Sequence, residues 1–203
     1  TLVNLAYSIS QRGNKVLIVD TDPQGSISYH LGLKPIASLY DIIVKNKPAM
    51  ACITVARDNL DVIASNERLY PVELFMHQQK NKEQIIRDRL TSIVSNYDYV
   101  FIDCTPTMTL MNQNVLLFAE QVLVPVSMEY MTLLGVKQLI GNIKLLNKSF
   151  KKNIKITKVI PTFFNAHNKK TKNVYQSLSR VFSNYIAHPI RTNISISEAS
   201  GQG

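Results

Sequence analysis

Apolar residues along the chain alternate between two styles of spacing. Thr1–Gln11 carries Leu2, Leu5, Ala6 and Ile9 at helical intervals and is closed by Gly13. Val16–Val19 is instead an uninterrupted apolar run, of the kind that forms a parallel strand buried on both faces. The same contrast repeats downstream. It predicts short or amphipathic helices over Ser38–Asn46, Lys82–Val94, Asn114–Ala119, Leu134–Leu146 and Thr171–Phe182. Strands are expected at Leu60–Ala64, Tyr99–Ile102, Gln121–Val126 and Ile154–Pro161, with a short edge at Ala187–Ile190. Strands alternating with helices imply an α/β fold: a doubly wound, mostly parallel sheet with helices on both faces and right-handed crossovers. In such folds ligands bind beyond the carboxyl ends of the strands.

With 203 residues, 45% of them hydrophobic, and no linker, repeat or low-complexity run, the expectation is a single domain spanning 1–203. Cys52 and Cys104 are too few for a disulfide framework and lack metal-site spacing, which favours a reducing compartment. No apolar run approaches the ~20 residues needed to span a bilayer, and the first residues lack a signal-peptide layout, so a cytoplasmic protein is expected. The start at Thr1 and the stop at Gly203 both suggest a cut end.

Charge changes the picture more than composition does. The formal net charge is +9, yet residues 1–129 hold eleven Lys/Arg against thirteen Asp/Glu, while 130–197 hold twelve Lys/Arg and no acid. Such one-sided charge points to a polyanionic partner, because neutralising phosphates releases counterions and favours binding without sequence preference.

Two apolar strands run into acids: Val16–Val19 into Asp20 and Asp22, and Tyr99–Ile102 into Asp103. A carboxylate at the end of a buried strand loses water unless cations or donors compensate it. Magnesium with phosphate is a natural compensator, since Mg²⁺ favours one or two carboxylates with waters and phosphate oxygens. The plainer alternative is that each Asp caps a following turn.

These residues also carry a family resemblance. VLIVDTDPQGS at Val16–Ser26 resembles the deviant Walker A′ and switch I segment of the ParA/Soj branch of P-loop ATPases, a group related to MinD. Tyr97–Pro106 (YDYVFIDCTP) resembles the branch's Walker B strand and switch II. The likeness continues through Asn114, Pro125–Tyr130 with Gly135, and Val159–Asn165 to Ser197-Glu198-Ala199, covering essentially the whole chain. It implies a P-loop NTPase-like fold and the cofactors ATP and Mg²⁺. By the resemblance, Asp22 would orient the attacking water, Asp20 would support the magnesium shell and switch I, and Asp103 would hold a magnesium-bound water. Thr162, Phe163 and Phe164 match one loop around the base, and Arg191 with Asn193 the second; without the resemblance, both Phe residues read as core. The implied partners are non-specific DNA, a ParB-like stimulating protein and a second copy of the chain in an ATP-dependent dimer. A cytoplasmic, nucleoid-associated protein is implied, with membrane attachment not expected.

Departures from the branch matter as well. Its glycine-rich KGGxGKT-type phosphate loop should end at or just before Thr1, and no clustered glycines occur later, so a chain lacking both that loop and the C-terminal end is expected. Catalysis is accordingly assigned to the full-length protein. Thr105 stands where the branch has the first proline of D-C-P-P, Asn165 and His167 replace an acid and an arginine, and Thr192 and Ser195 occupy positions often basic. Lys151, Lys152, Lys155, Lys169, Lys170 and Lys172 become the candidate DNA contacts. Two rivals stand beside the partition ATPase: a MinD-like membrane-associated ATPase, and a non-catalytic DNA-binding scaffold on a degenerate fold.

Overall fold

The computed structural model describes residues 1–193, which divide by their contacts into two compact units, one over 1–118 and one beginning at Ala119. The first unit is built on a four-stranded sheet. Its strands are β1 (Val16–Asp20), β2 (Ile53–Arg57), β3 (Leu60–Ile63) and β4 (Tyr99–Asp103), in the order β2-β3-β1-β4. β1 pairs in parallel with β3 and β4, while β2 runs antiparallel to β3 and forms an edge.

β1 explains why the continuous apolar run was required. All five of its residues are buried, and alternate side chains serve opposite faces. Val16 and Ile18 pack with Ala6 of helix α1 (Leu2–Ser10) and Ile27 of α2 (Ser26–His30). Leu17 and Val19 join a second core with α3 (Leu39–Ile43), α4 (Val72–His77), α5 (Ile85–Val94) and α6 (Leu110–Phe118). The sheet of this unit is therefore covered on both faces, as the alternating pattern predicts.

The second unit pairs β5 (Gln121–Ser127) in parallel with β6 (Lys155–Thr162). Its core joins Val124, Val126 and Val159 to Val136 of α7 (Tyr130–Phe150) and to Val174, Leu178 and Phe182 of α8 (Lys169–Phe182).

Differences from the sequence pattern have local causes. β2 escaped notice because it is an edge strand with Val55 73% exposed, so it has little buried periodicity to read. α4 follows Pro71 and spans six residues, too short for a periodic signature. α6 begins at Leu110 rather than Asn114, and α7 extends to Tyr130 and Phe150, whose exposed side chains carry no burial signal. Ala187–Ile190 is not a strand: Ala187 and Ile190 donate to Val159 and Pro161 of β6, but Pro189 supplies no N–H and only isolated bridges form. Cys52 is buried and Cys104 exposed.

The start of α3 gives a stability test. Asp41 is buried, and its carboxylate accepts from the Ser38 N–H at 3.0 Å and the Ser38 hydroxyl at 3.3 Å, with Lys45 Nζ at 2.9 Å. Burial alone would raise this carboxyl, but Lys45 and the Ser38 N–H outweigh it and hold it below its ordinary value of 3.8. A carboxyl lowered on folding stabilises above its unfolded pKa and loses that contribution as pH falls through the folded value. Asp41→Asn is expected to cost about 1–2 kcal/mol at pH 7 in urea unfolding and to lie closer to the wild type at pH 3.

Candidate functional site

The acids singled out by the strand pattern come together in the first unit. Asp20 and Asp103 are register partners at the carboxyl ends of the parallel neighbours β1 and β4. Thr21 fixes this pairing, its N–H and hydroxyl both reaching the Asp103 carbonyl, at 3.2 and 2.5 Å. Asp20 is wholly buried. Its carboxylate accepts from the N–H groups of Asp22 at 3.0 Å and Ile27 at 3.4 Å, so it organises the loop between β1 and α2.

Asp22 lies on that loop, half-buried, with its carboxylate accepting from the Gln24 N–H at 2.9 Å and its carbonyl from the Gly25 N–H at 3.0 Å. Gly25 adopts φ 62°, and a Cβ there would lie 2.8 Å from the Ser65 carbonyl oxygen beyond β3. The loop therefore requires glycine for both its hand and its close approach. Gln24 donates in turn to the Tyr70 hydroxyl, which ties the loop to the segment before α4.

Electrostatics give this cluster its chemistry. Burial, then the charges of Asp103 and Asp22, push the Asp20 carboxyl up to about 6, although its two N–H donors pull the other way. Asp103 is raised by burial and then by Asp22. Mutually repelling acids at the mouth of a parallel sheet are stabilised by a divalent cation. Among the described residues no three His, Cys, Asp or Glu side chains form a metal cage. The donor set fits magnesium, which takes one or two carboxylates and fills its shell with water and phosphate.

In the second unit, both loops expected around the base lie side by side. Phe164 donates its N–H to the Ile190 carbonyl at 3.0 Å and accepts from Thr192 at 3.2 Å, bridging to Arg191. Thr162 is buried at the end of β6, and Phe164 packs on Tyr175 at 5.5 Å between ring centroids, so that phenylalanine belongs to the core. Phe163 differs: it is 67% exposed and has φ 54°, a strained conformation for a bulky residue. Asn193 is the last described residue. Ser195 and Ser197-Glu198-Ala199 lie outside the described residues.

The candidate DNA lysines all sit in this unit and all are exposed. Lys151 caps α7 in the left-handed conformation, Lys152 follows it, and Lys155 opens β6. Lys169, Lys172 and Arg180 share the solvent face of α8, opposite buried Thr171, Val174 and Leu178. Lys170 is turned aside into an ion pair with Glu129, the residue before α7.

The sequence reasoning missed Asn112 and Glu73. Asn112 is buried on α6 and bonds the loop after Asp103, while Glu73 of α4 accepts the Leu110 N–H at the start of α6. Two asparagines flanking Gln113 in a helix apolar at its other positions, Asn112 and Asn114, were the available signal. Asn114 binds the Ile86 N–H and the carbonyls of Lys82 and Leu110, joining α6 to α5.

Comparison with known proteins identifies relatives of the chain. A model of the AAA domain family matches residues 1–156. The sporulation initiation inhibitor protein Soj of Bacillus subtilis is 30% identical over 208 residues, covering all of this chain and 82% of that protein. The chromosome partitioning protein ParA of Caulobacter vibrioides is 30% identical over 210 residues, covering all of this chain and 79% of that protein. Among solved structures, cobyrinic acid a,c-diamide synthase from Mycobacterium smegmatis with bound ATP analogue and magnesium superposes with a TM-score of 0.85 at 22% identity, over 98% of this chain and 84% of that one.

Proposed function

Starting from a chain that belongs to the ParA/Soj branch of the AAA-domain ATPases, we propose a partition ATPase that hydrolyses ATP with magnesium and grips DNA without sequence preference as an ATP-bound dimer. The observation that carries this reading is the pairing of Asp20 with Asp103 across β1 and β4, with Asp22 on the glycine-dependent loop that follows. Phosphoryl transfer depends mainly on positioning and charge compensation, and these carboxylates would hold the cation that provides the compensation.

Asp20 and Asp103 would hold magnesium, Asp103 through a bound water. Magnesium supplies charge neutralisation at the transferring phosphoryl group. Asp22 orients the attacking water, its carboxylate steadied by the Gln24 N–H. Thr162, Phe163, Phe164, Arg191 and Asn193 take the adenine base; exposed Phe163 offers the ring face, while Phe164 supports the loop from the core. The lysine surface of the second unit holds DNA phosphates, and hydrolysis, stimulated by a ParB-like partner, releases them. The protein acts in the cytoplasm on the nucleoid; among the described residues no helix is long and apolar enough to cross a membrane.

Phosphate release from ATP by the full-length protein tests the enzymatic part. Turnover is expected in magnesium and loss of at least about 100-fold in excess EDTA, because the charge compensation is removed. Absence of ATP turnover in magnesium would overturn the reading.

A further inference from the structure

We propose that Asn112 is a positioning residue for hydrolysis, clamping the loop that follows Asp103; the inference rests on the ATPase reading above. That loop leaves β4 and must turn over Thr105–Thr109 before α6 begins at Leu110. Its backbone carbonyls need donors where they face inward. Asn112 is 6% exposed and provides them: its Nδ2 donates to the Thr105 carbonyl at 2.6 Å and the Thr107 carbonyl at 2.5 Å, and lies 3.2 Å from the Thr105 hydroxyl. One amide group with two hydrogens is thus matched to two carbonyls. Thr109 completes the turn, its N–H reaching the Thr107 carbonyl at 3.0 Å and its hydroxyl accepting the Asn112 N–H at 3.2 Å.

Thr105 is the residue that stands in place of the branch's proline. A proline fixes φ near −65° by its ring, and threonine does not. The Asn112 clamp restores by hydrogen bonding the restraint that the ring would give by covalent geometry. Glu73 anchors the helix that carries the clamp by accepting the Leu110 N–H. Asp103 sits immediately before the clamped turn; Thr21 holds its carbonyl on one side and the clamp fixes the chain on the other, so loosening the loop removes one of two restraints on its carboxylate. Asn112 touches none of the reacting groups assigned above and acts through the loop.

Steady-state kinetics of the full-length protein separate positioning from mere support. Asn112→Ala is expected to lower kcat for ATP by about 10–100-fold per folded molecule with KM changed less than about threefold, the pattern of misplacement by a fraction of an ångström. Thr105→Pro places in this chain the residue that the branch carries at that position, with its ring-fixed φ. Thr105→Pro added to Asn112→Ala is expected to recover about tenfold or more of the lost kcat. Amide exchange over residues 104–109 should quicken about tenfold in Asn112→Ala and slow again in the double variant. Asn112→Asp, equal in shape but presenting oxygen to the two carbonyls, is the second variant should alanine not fold.

Unchanged kcat per folded molecule, no rescue by Thr105→Pro, or failure of both Asn112 variants to fold would overturn the proposal. If the wild type turns over no ATP, the ATPase reading fails instead. The exchange rates of the loop then still decide whether Asn112 is the clamp: unchanged exchange overturns it, and quickened exchange reversed by Thr105→Pro supports it.

Discussion

Asp22→Ala is expected to reduce ATP turnover by about 10²–10³-fold while leaving the fold and ATP affinity nearly intact. The side chain is half-buried on a loop whose shape is set by other groups: Asp20 accepts the Asp22 N–H, the Asp22 carbonyl accepts the Gly25 N–H, and Gly25 seats against Ser65. Removing the Asp22 carboxylate loses one loop hydrogen bond, from Gln24, and also relieves its repulsion of Asp20 and Asp103. Stability should therefore change by less than about 1 kcal/mol. What disappears is the group assigned to align the attacking water, so kcat carries the loss. Steady-state phosphate release with urea unfolding as control measures both; turnover within threefold of the wild type would remove Asp22 from the mechanism.

The second large effect is expected at α8. Lys169→Ala with Lys172→Ala removes two cations from one solvent face with no acid among the neighbours on that helix. If each neutralises a DNA phosphate, affinity for duplex DNA in ATP should fall about 10–100-fold at low salt, uniformly across sequences. The slope of log affinity against log salt should flatten by about 2. Lys170→Ala should do less, because Glu129 already engages that ammonium. Fluorescence anisotropy over a salt series, with Lys169→Ala and Lys172→Ala also measured singly, distinguishes these outcomes, and a Lys170→Ala loss equal to that of either single variant would contradict the ion-pair assignment.

These contrasts also show what could be read before any coordinates. β1 was legible because a strand buried on both faces must be apolar at every position, and Asp20 stood out as a charge placed where that run ends. That the acids would lie at the ligand-binding end of the sheet followed from the parallel topology, whereas the register pairing of Asp20 with Asp103 is seen only in the structure. β2 was not legible, since an edge strand paired on one side carries half the burial signal. Asn112 escaped for another reason: its partners are carbonyls, which have no sequence identity, and a polar residue in an apolar helix does not say where it points. The Lys170–Glu129 pair joins residues 41 positions apart, beyond any local pattern. Phe163 and Phe164 were adjacent and chemically alike, and only backbone φ and packing against Tyr175 separate an exposed, strained ring from a core one.

DNA binding by the full-length protein across a salt series, with ATP, with ADP and with Asp22→Ala in ATP, bears most directly on the partition-ATPase claim. The predicted result is salt-sensitive, sequence-independent binding in ATP, at least about tenfold weaker in ADP, and retained by Asp22→Ala despite its much slower ATP turnover. Binding that is absent in ATP, or equal with ATP and ADP, would contradict the claim.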